Sequence, residues 1–162
     1  MVLMDRETNH IMLALGERSI TQRAAEADRK SEIQINVVFT DTDGTLAALK
    51  LAGNLACNLG ARIHLHVPQV VPLHFPLMRP PISIAFTEQR LLELAYRGAQ
   101  GPLETAVHLY LCRNKRQCLL KALKPHSLVV IGGRRRWWPT AENRLARLLR
   151  SKGHQVLFAP LK

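Results

Sequence analysis

From residue 33 onward, short dense apolar runs alternate with longer stretches whose apolar positions recur at helical spacing. Ile35-Asn36-Val37-Val38-Phe39 has the length and composition of a buried strand, and the acidic turn Asp41-Thr42-Asp43-Gly44 ends it. Leu46, Leu49, Ala52, Leu55, Ala56 and Leu59 then recur at helical spacing until Gly60, which stops the helix. Residues 62–67 read as a second strand. Five of the nine prolines fall between Pro68 and Pro81; each fixes φ and lacks an N–H, so this stretch is predicted to be an extended crossover. A helix follows over Thr87–Gly98, with Thr87 as its N-cap, and Gly101-Pro102 breaks the pattern. Thr105–Leu111 is a third strand, Lys115–Leu123 a third helix and Ser127–Ile131 a fourth strand. After a loop over 132–139, Thr140 caps a helix over Ala141–Ser151, and Gln155–Ala159 is a fifth strand.

Strand and helix thus alternate five times, and short crossovers between consecutive strands demand parallel pairing. The expected fold is α/β: a doubly wound, five-stranded parallel sheet with helices on both faces, spanning residues 33–162. Residues 1–32 are rich in Arg, Glu and Ala, with a patchy helical pattern from Ile11 to Ala25. They read as an N-terminal extension outside the core, partly helical or disordered.

Composition narrows the class. At 162 residues, 47% hydrophobic and 22% charged, the chain falls in the range of one globular domain. Its longest apolar runs, at 128–131 and 156–159, are far below the ~18 residues of a spanning helix, so membrane insertion is not expected. Residues 11–15 are too short for the apolar core of a secretory signal, and acids precede them. Cys57, Cys112 and Cys118 show neither a disulfide framework nor metal-ligand spacing, so the expected localisation is cytoplasmic.

Charge is concentrated at one end. Of the net +11, residues 1–34 contribute −1, residues 35–112 nothing, and residues 113–162 +12, from thirteen Lys/Arg against Glu142 alone. Such a field favours an anionic partner. One function class this admits is a nucleic-acid-binding module using the basic last third; a plainly solvated basic surface is the other reading.

Two segments carry candidate chemistry. Asp41-Thr42-Asp43-Gly44-Thr45-Leu46, directly after a hydrophobic strand, is similar to the nucleophile motif of haloacid-dehalogenase-type phosphatases. There one carboxylate attacks phosphorus, the second acts as acid/base, and Mg²⁺ lies between them. That chemistry needs further carboxylates at later strand ends, and no Asp follows Asp43. The alternative is that both acids shape the turn and cap the next helix. The second segment is Gly132-Gly133-Arg134-Arg135-Arg136-Trp137-Trp138. In an open α/β sheet, ligands enter beyond the carboxyl ends of the strands where strand order reverses. Glycines let backbone N–H groups approach an anion, Arg supplies forked donors to phosphate, and Trp can stack on a base. The competing reading has the arginines solvated and a Trp covering the core edge. His64 and His66 share a strand face without a visible third ligand, so no metal site is expected.

Residues 33–160 resemble the universal stress protein family, within the adenine-nucleotide alpha-hydrolase-like fold. The resemblance is carried by Val37-Val38-Phe39-Thr40-Asp41, by 51–56 with Gly60-Ala61-Arg62-Ile63-His64-Leu65-His66-Val67, by Leu128-Val129-Val130-Ile131-Gly132, and by 156–159. It implies a nucleotide-binding or partner-binding stress-response protein without catalytic residues, and a homodimer joined along the Val156–Ala159 edge strand. ATP-binding members carry a glycine loop after the fourth strand. Gly132 matches its first glycine, but the second falls on Arg135 and the closing small pair on Glu142-Asn143. The chain therefore resembles a divergent member with a degenerate ATP motif. ATP or another nucleotide is the ligand this implies, held at Asp41, Gly132, Gly133, Arg134, Arg135, Arg136 and Trp137.

Overall fold

The computed structural model describes residues 8–14, 33–99, 105–134 and 139–161. Ten elements follow in order: β1 (Thr8–Ala14), β2 (Gln34–Val38), α1 (Thr42–Leu59), β3 (Arg62–Val70), α2 (Ile84–Ala99), β4 (Thr105–Cys112), α3 (Lys115–Ala122), β5 (Leu128–Gly133), α4 (Ala141–Ser151) and β6 (Gln155–Pro160). They form one six-stranded sheet in the order β1-β4-β3-β2-β5-β6. The five strands from β2 to β6 are parallel, as the alternation of patterns requires.

Two expectations need correction here. The sheet is mixed and six-stranded, not five-stranded and parallel, because β1 adds antiparallel to β4, with His10 opposite Tyr110 and Ile11 opposite Leu109. Residues 8–14 are thus a sheet edge and not part of a helix. Ile11 packs against the core, so the edge is held by apolar burial as well as by the ladder. Strand β3 also runs through Pro68 to Val70. Pro68 is tolerated because β2 pairing stops at His66, leaving β3 with a single neighbour beyond it. The crossover that follows is pinned by Arg113, whose guanidinium donates to Val71 O (2.9 Å), Pro72 O (2.6 Å) and Phe75 O (2.9 Å).

Alternating strand residues divide the core. Ile35, Val37, Ile63, Leu65, Val107 and Leu109 face α1 and α2, where Leu49, Ala52, Leu91 and Ala95 are buried. Val38, Val129 and Ile131 face α3 and α4, against Leu119, Leu123, Leu145 and Leu149. The sheet is therefore covered by helices on both faces, the doubly wound arrangement. Gly60 ends α1 in the left-handed conformation (φ 61°) that its missing side chain permits. Helix α2 begins a turn before Thr87: Ser83 Oγ accepts from Phe86 N, and Thr87 Oγ1 donates back to Ser83 O. The cap belongs to Ser83 because Thr87 already lies inside the first turn.

Candidate functional site

From β2 the chain proceeds to β3 and β4 on one side, then crosses to β5 and β6 on the other. The order reverses between β2 and β5, and the carboxyl ends of those strands frame the site.

At the end of β2, Thr40 and Asp41 turn the chain into α1. Asp41 is the N-cap, with Oδ1 accepting from Gly44 N at 2.6 Å, and its carbonyl accepts from Thr45 N. Thr40 N donates to Thr45 Oγ1, and Thr40 Oγ1 donates to Gly132 O at 2.8 Å, tying the turn to the end of β5. There the backbones of Gly44 and Gly132 meet. A Cβ on Gly132 would lie 1.7 Å from Gly44 O, and one on Gly44 would lie 2.7 Å from Gly132 O. Gly132 is a glycine, on this geometry, because α1 starts against it. Its neighbour Gly133 lies beside Glu142 and Phe158, 3.1 Å from a built Cβ to Glu142 Cγ. Both glycines also remain in the ladder, opposite Ala159 and Pro160.

Arg134 leaves β5 exposed to solvent. Arg135, Arg136 and Trp137, with Trp138, lie outside the described residues, so of the expected binding set the structure brings together Asp41, Gly132, Gly133 and Arg134. A residue the sequence pattern had not marked for this place joins them. Lys115, the first residue of α3, is half-buried and its Nζ donates to Phe39 O at 3.4 Å. Burial pushes the Lys115 amine below its ordinary pKa, while the Glu142 carboxylate acts in the opposite sense. An ammonium has three donors, and two of those on Lys115 are without a partner among the described residues. Asp43 lies exposed in the first turn of α1. Among the described residues, no cluster of three acidic, histidine or cysteine side chains is placed to hold a metal ion.

A second polar cluster lies on the sheet face that carries α3 and α4. His66 Nε2 pairs with Asn36 Oδ1 (2.9 Å), and Asn36 Nδ2 donates to Leu128 O (3.2 Å). The amide thus offers its oxygen to His66, which makes His66 the Nε2–H tautomer and leaves Nδ1 to accept from Tyr110 O–H (3.0 Å). Beside it His10, His108 and His64 form a chain, with Nε2 of His10 3.0 Å from Nδ1 of His108 and Nε2 of His108 2.9 Å from Nδ1 of His64. The rings stack, with centroids 5.2 Å apart in each of those pairs. Burial, and then the charges of the neighbouring histidines, push His66 and His108 down to about 3. Burial also pushes the Tyr110 phenol up. The period-2 polar positions Asn36, His64, His66, His108 and Tyr110 were the available signal. Only the cross-strand register joins them.

Comparison with known proteins fits this architecture. No family model matches the sequence, and no curated protein matches it. Among solved structures, a protein from the universal stress protein family of Burkholderia pseudomallei superposes with a TM-score of 0.55 at 20% identity, over 79% of this chain and 96% of that one. The fold is universal stress protein-like. A universal stress protein solved in complex with cAMP aligns with a TM-score of 0.48 at 17% identity, over 82% of this chain and all of its own. Among the described residues, no helix of this universal stress protein-like chain is long and apolar enough to cross a membrane.

Proposed function

We propose that the crevice between β2 and β5 binds a nucleotide or another phosphate-bearing ligand and does so without catalysis. The observation that carries this reading is Lys115. A half-buried ammonium at the start of α3, with a single long hydrogen bond among the described residues, is an anion receptor at the place where open α/β sheets take their ligands, and exposed Arg134 ends β5 at the same edge of the sheet. The carboxylates of Asp41 and Asp43 repel phosphate from the start of α1, and Glu142 acts from the start of α4, so the phosphate belongs directly on the cations Lys115 and Arg134. Asp41, with one carboxylate oxygen taken by Gly44 N, has the other available for ligand hydroxyls. Binding of this kind makes the protein a sensor or carrier of its ligand, working through partners. Self-association along the β6 edge belongs to the same reading.

The test is calorimetric titration and thermal shift with ATP, ADP, AMP, cyclic AMP and pyrophosphate. A ligand at 100 times its dissociation constant stabilises by about 2.7 kcal/mol. Lys115→Met should weaken binding by about 10- to 150-fold, the range of a lost charged hydrogen bond, while Lys124→Met leaves it unchanged. No thermal shift with any of these ligands at millimolar concentration would overturn the proposal, as would wild-type affinity in Lys115→Met.

A further inference from the structure

Helices α3 and α4 cover the same face of the sheet. Leu119 and Leu123 share one buried cluster with Leu145 and Leu149, and the ends of the pair are tied where His126 Nδ1 meets Gly153 O (3.2 Å) and Ser127 N meets His154 Nδ1 (3.3 Å). Their apolar sides are spent on the sheet. Their outward sides carry Arg116, Lys121, Lys124, Arg144, Arg147 and Lys152, all exposed. Arg144 and Arg147 are about one turn apart on α4, ~4.5 Å along its axis. Among the described residues of α3, α4 and the turns that follow them, Glu142 is the only acid, and it is half-buried beside Gly133. On the opposite face of the sheet the charges cancel. There α1 and α2 carry Asp43, Glu88 and Glu93 with Lys50, Arg90 and Arg97.

We infer that the α3–α4 face docks the sugar-phosphate backbone of a nucleic acid, without reading base sequence. Three properties favour this occupant. The face is strongly cationic, with thirteen Lys/Arg against one acid over residues 113–162, which a polyphosphate matches and a mixed-charge surface does not. Among its described residues it holds no exposed large apolar side chain: Ile33, Leu59, Val70, Leu73, Met78, Phe86, Tyr96 and Leu157 all lie elsewhere. A protein partner needs buried aromatic or aliphatic anchors, and an interfacial helix needs an apolar side to insert, whereas nucleic-acid interfaces are polar and strongly basic. The end of α4 is also tied to the sheet, with Arg150 Nη2 donating to Val156 O (3.0 Å). The cations Arg144 and Arg147 of α4, with Lys152 at the end of that helix, are distinct from Lys115 and Arg134 of the crevice, so either assignment can fail without the other.

The test uses fluorescence anisotropy with duplex DNA and duplex RNA of mixed sequence. With roughly five phosphates neutralised, affinity for the DNA should fall about 500-fold between about 50 and 200 mM salt. The triple variant Arg144→Glu/Arg147→Glu/Lys152→Glu should bind at least 50-fold more weakly and show a salt slope shallower by about three. Lys50→Glu/Arg90→Glu/Arg97→Glu on the opposite face changes the net charge equally and should bind nearly as wild type. All six positions are exposed, and circular dichroism with thermal unfolding checks that both variants are folded. Equal losses in the two triples would mean a diffuse charge effect and overturn the inference. So would absence of binding at the lower salt, or tighter binding to phosphatidylserine vesicles or polyglutamate than to either duplex.

Discussion

Lowering the pH from 7 to 5 should destabilise the protein through His66 and His108. In the folded state both are held near 3, by burial first and by their histidine neighbours second. In the unfolded chain each titrates near 6.5. Below that value the unfolded state binds protons that the folded state refuses. The stability these rings permit is therefore complete above about pH 6.5 and is lost progressively as the pH falls toward 3. At pH 5 each histidine lies about 1.5 pH units below its unfolded value, which at 1.36 kcal/mol per unit is roughly 2 kcal/mol, or about 4 kcal/mol for the pair. Against a typical 5–15 kcal/mol of total stability that is a large share.

Geometry says where the loss begins. His10, on β1, is exposed and hydrogen-bonded to His108, and its own pKa is lowered by burial. Protonation there places a cation 5.2 Å, ring to ring, from His108 and 4.6 Å from Tyr110. The other titratable groups on this face are His64, His66 and Arg62 along β3 and the buried thiols of Cys112 and Cys118. Among the described residues no carboxylate is there to take up the charge. Urea unfolding at about pH 7, 6 and 5 measures the slope above the ordinary carboxylate range. In His108→Gln the slope should fall to about half, and hydrogen exchange should show β1 losing protection before β3. A stability that is flat from pH 7 to 5, or a His108→Gln slope equal to wild type, would refute the reasoning.

Other outcomes are specific to single residues. Gly132→Ala should lower stability by about 3 kcal/mol or more, because its Cβ would lie 1.7 Å from Gly44 O and both partners are backbone; thermal unfolding measures this, and an unchanged midpoint would be inconsistent with the close approach. Native protein should react with a maleimide at Cys57 alone, since Cys112 and Cys118 are buried, and all three cysteines should react in denaturant; mass spectrometry counts the adducts. Arg113→Ala should loosen the crossover after β3 by removing its three carbonyl contacts, seen as faster proteolysis between residues 71 and 83 with little change at the crevice. The chain should be a homodimer at tens of micromolar by light scattering, and Leu157→Lys should make it monomeric.

The strands from β2 to β6 and all four helices were legible because each carries its own local signal: an apolar run, a helical period, a cap or a stopping glycine. Thr140 and Asp41 cap where their spacing from the next helix indicated. β1 carried no such signal. Ile11, Met12 and Leu13 run into an Arg-, Glu- and Ala-rich stretch that reads as helix, and their strand partner lies about a hundred residues away, 98 from His10 to His108. The same non-locality hid half of the polar chemistry. Asn36, His64, His66, His108 and Tyr110 are each an ordinary polar position in an alternating strand, and register alone makes them a network. Lys115 was visible only as one cation of many. Its distinction comes from the turn at Asn114, which caps α3 and sets the first residue of that helix near the end of β2.

The antiparallel strand that the pattern did not show also bears on assembly. A parallel sheet of β2 to β6 alone would have two open edges, at β4 and at β6, and matching edges at both ends invite chains of subunits. β1 pairs along β4 from Thr105's neighbour Ala106 to Cys112 and is itself held by the His10–His108 contact and by Ile11. The longer β4 edge is thereby covered. Among the described residues β6 pairs only with β5, which leaves its outer edge open, with Leu157 39% exposed on it. One apolar edge used by two copies about a twofold axis closes on itself and goes no further, so any association through β6 should end at the dimer. Because the β1 contact includes the His10–His108 pair, that limit should itself depend on pH: acid that releases β1 uncovers β4 and should carry light scattering beyond the dimer, whereas a dimer of unchanged mass at pH 5 would show that β1 stays in place.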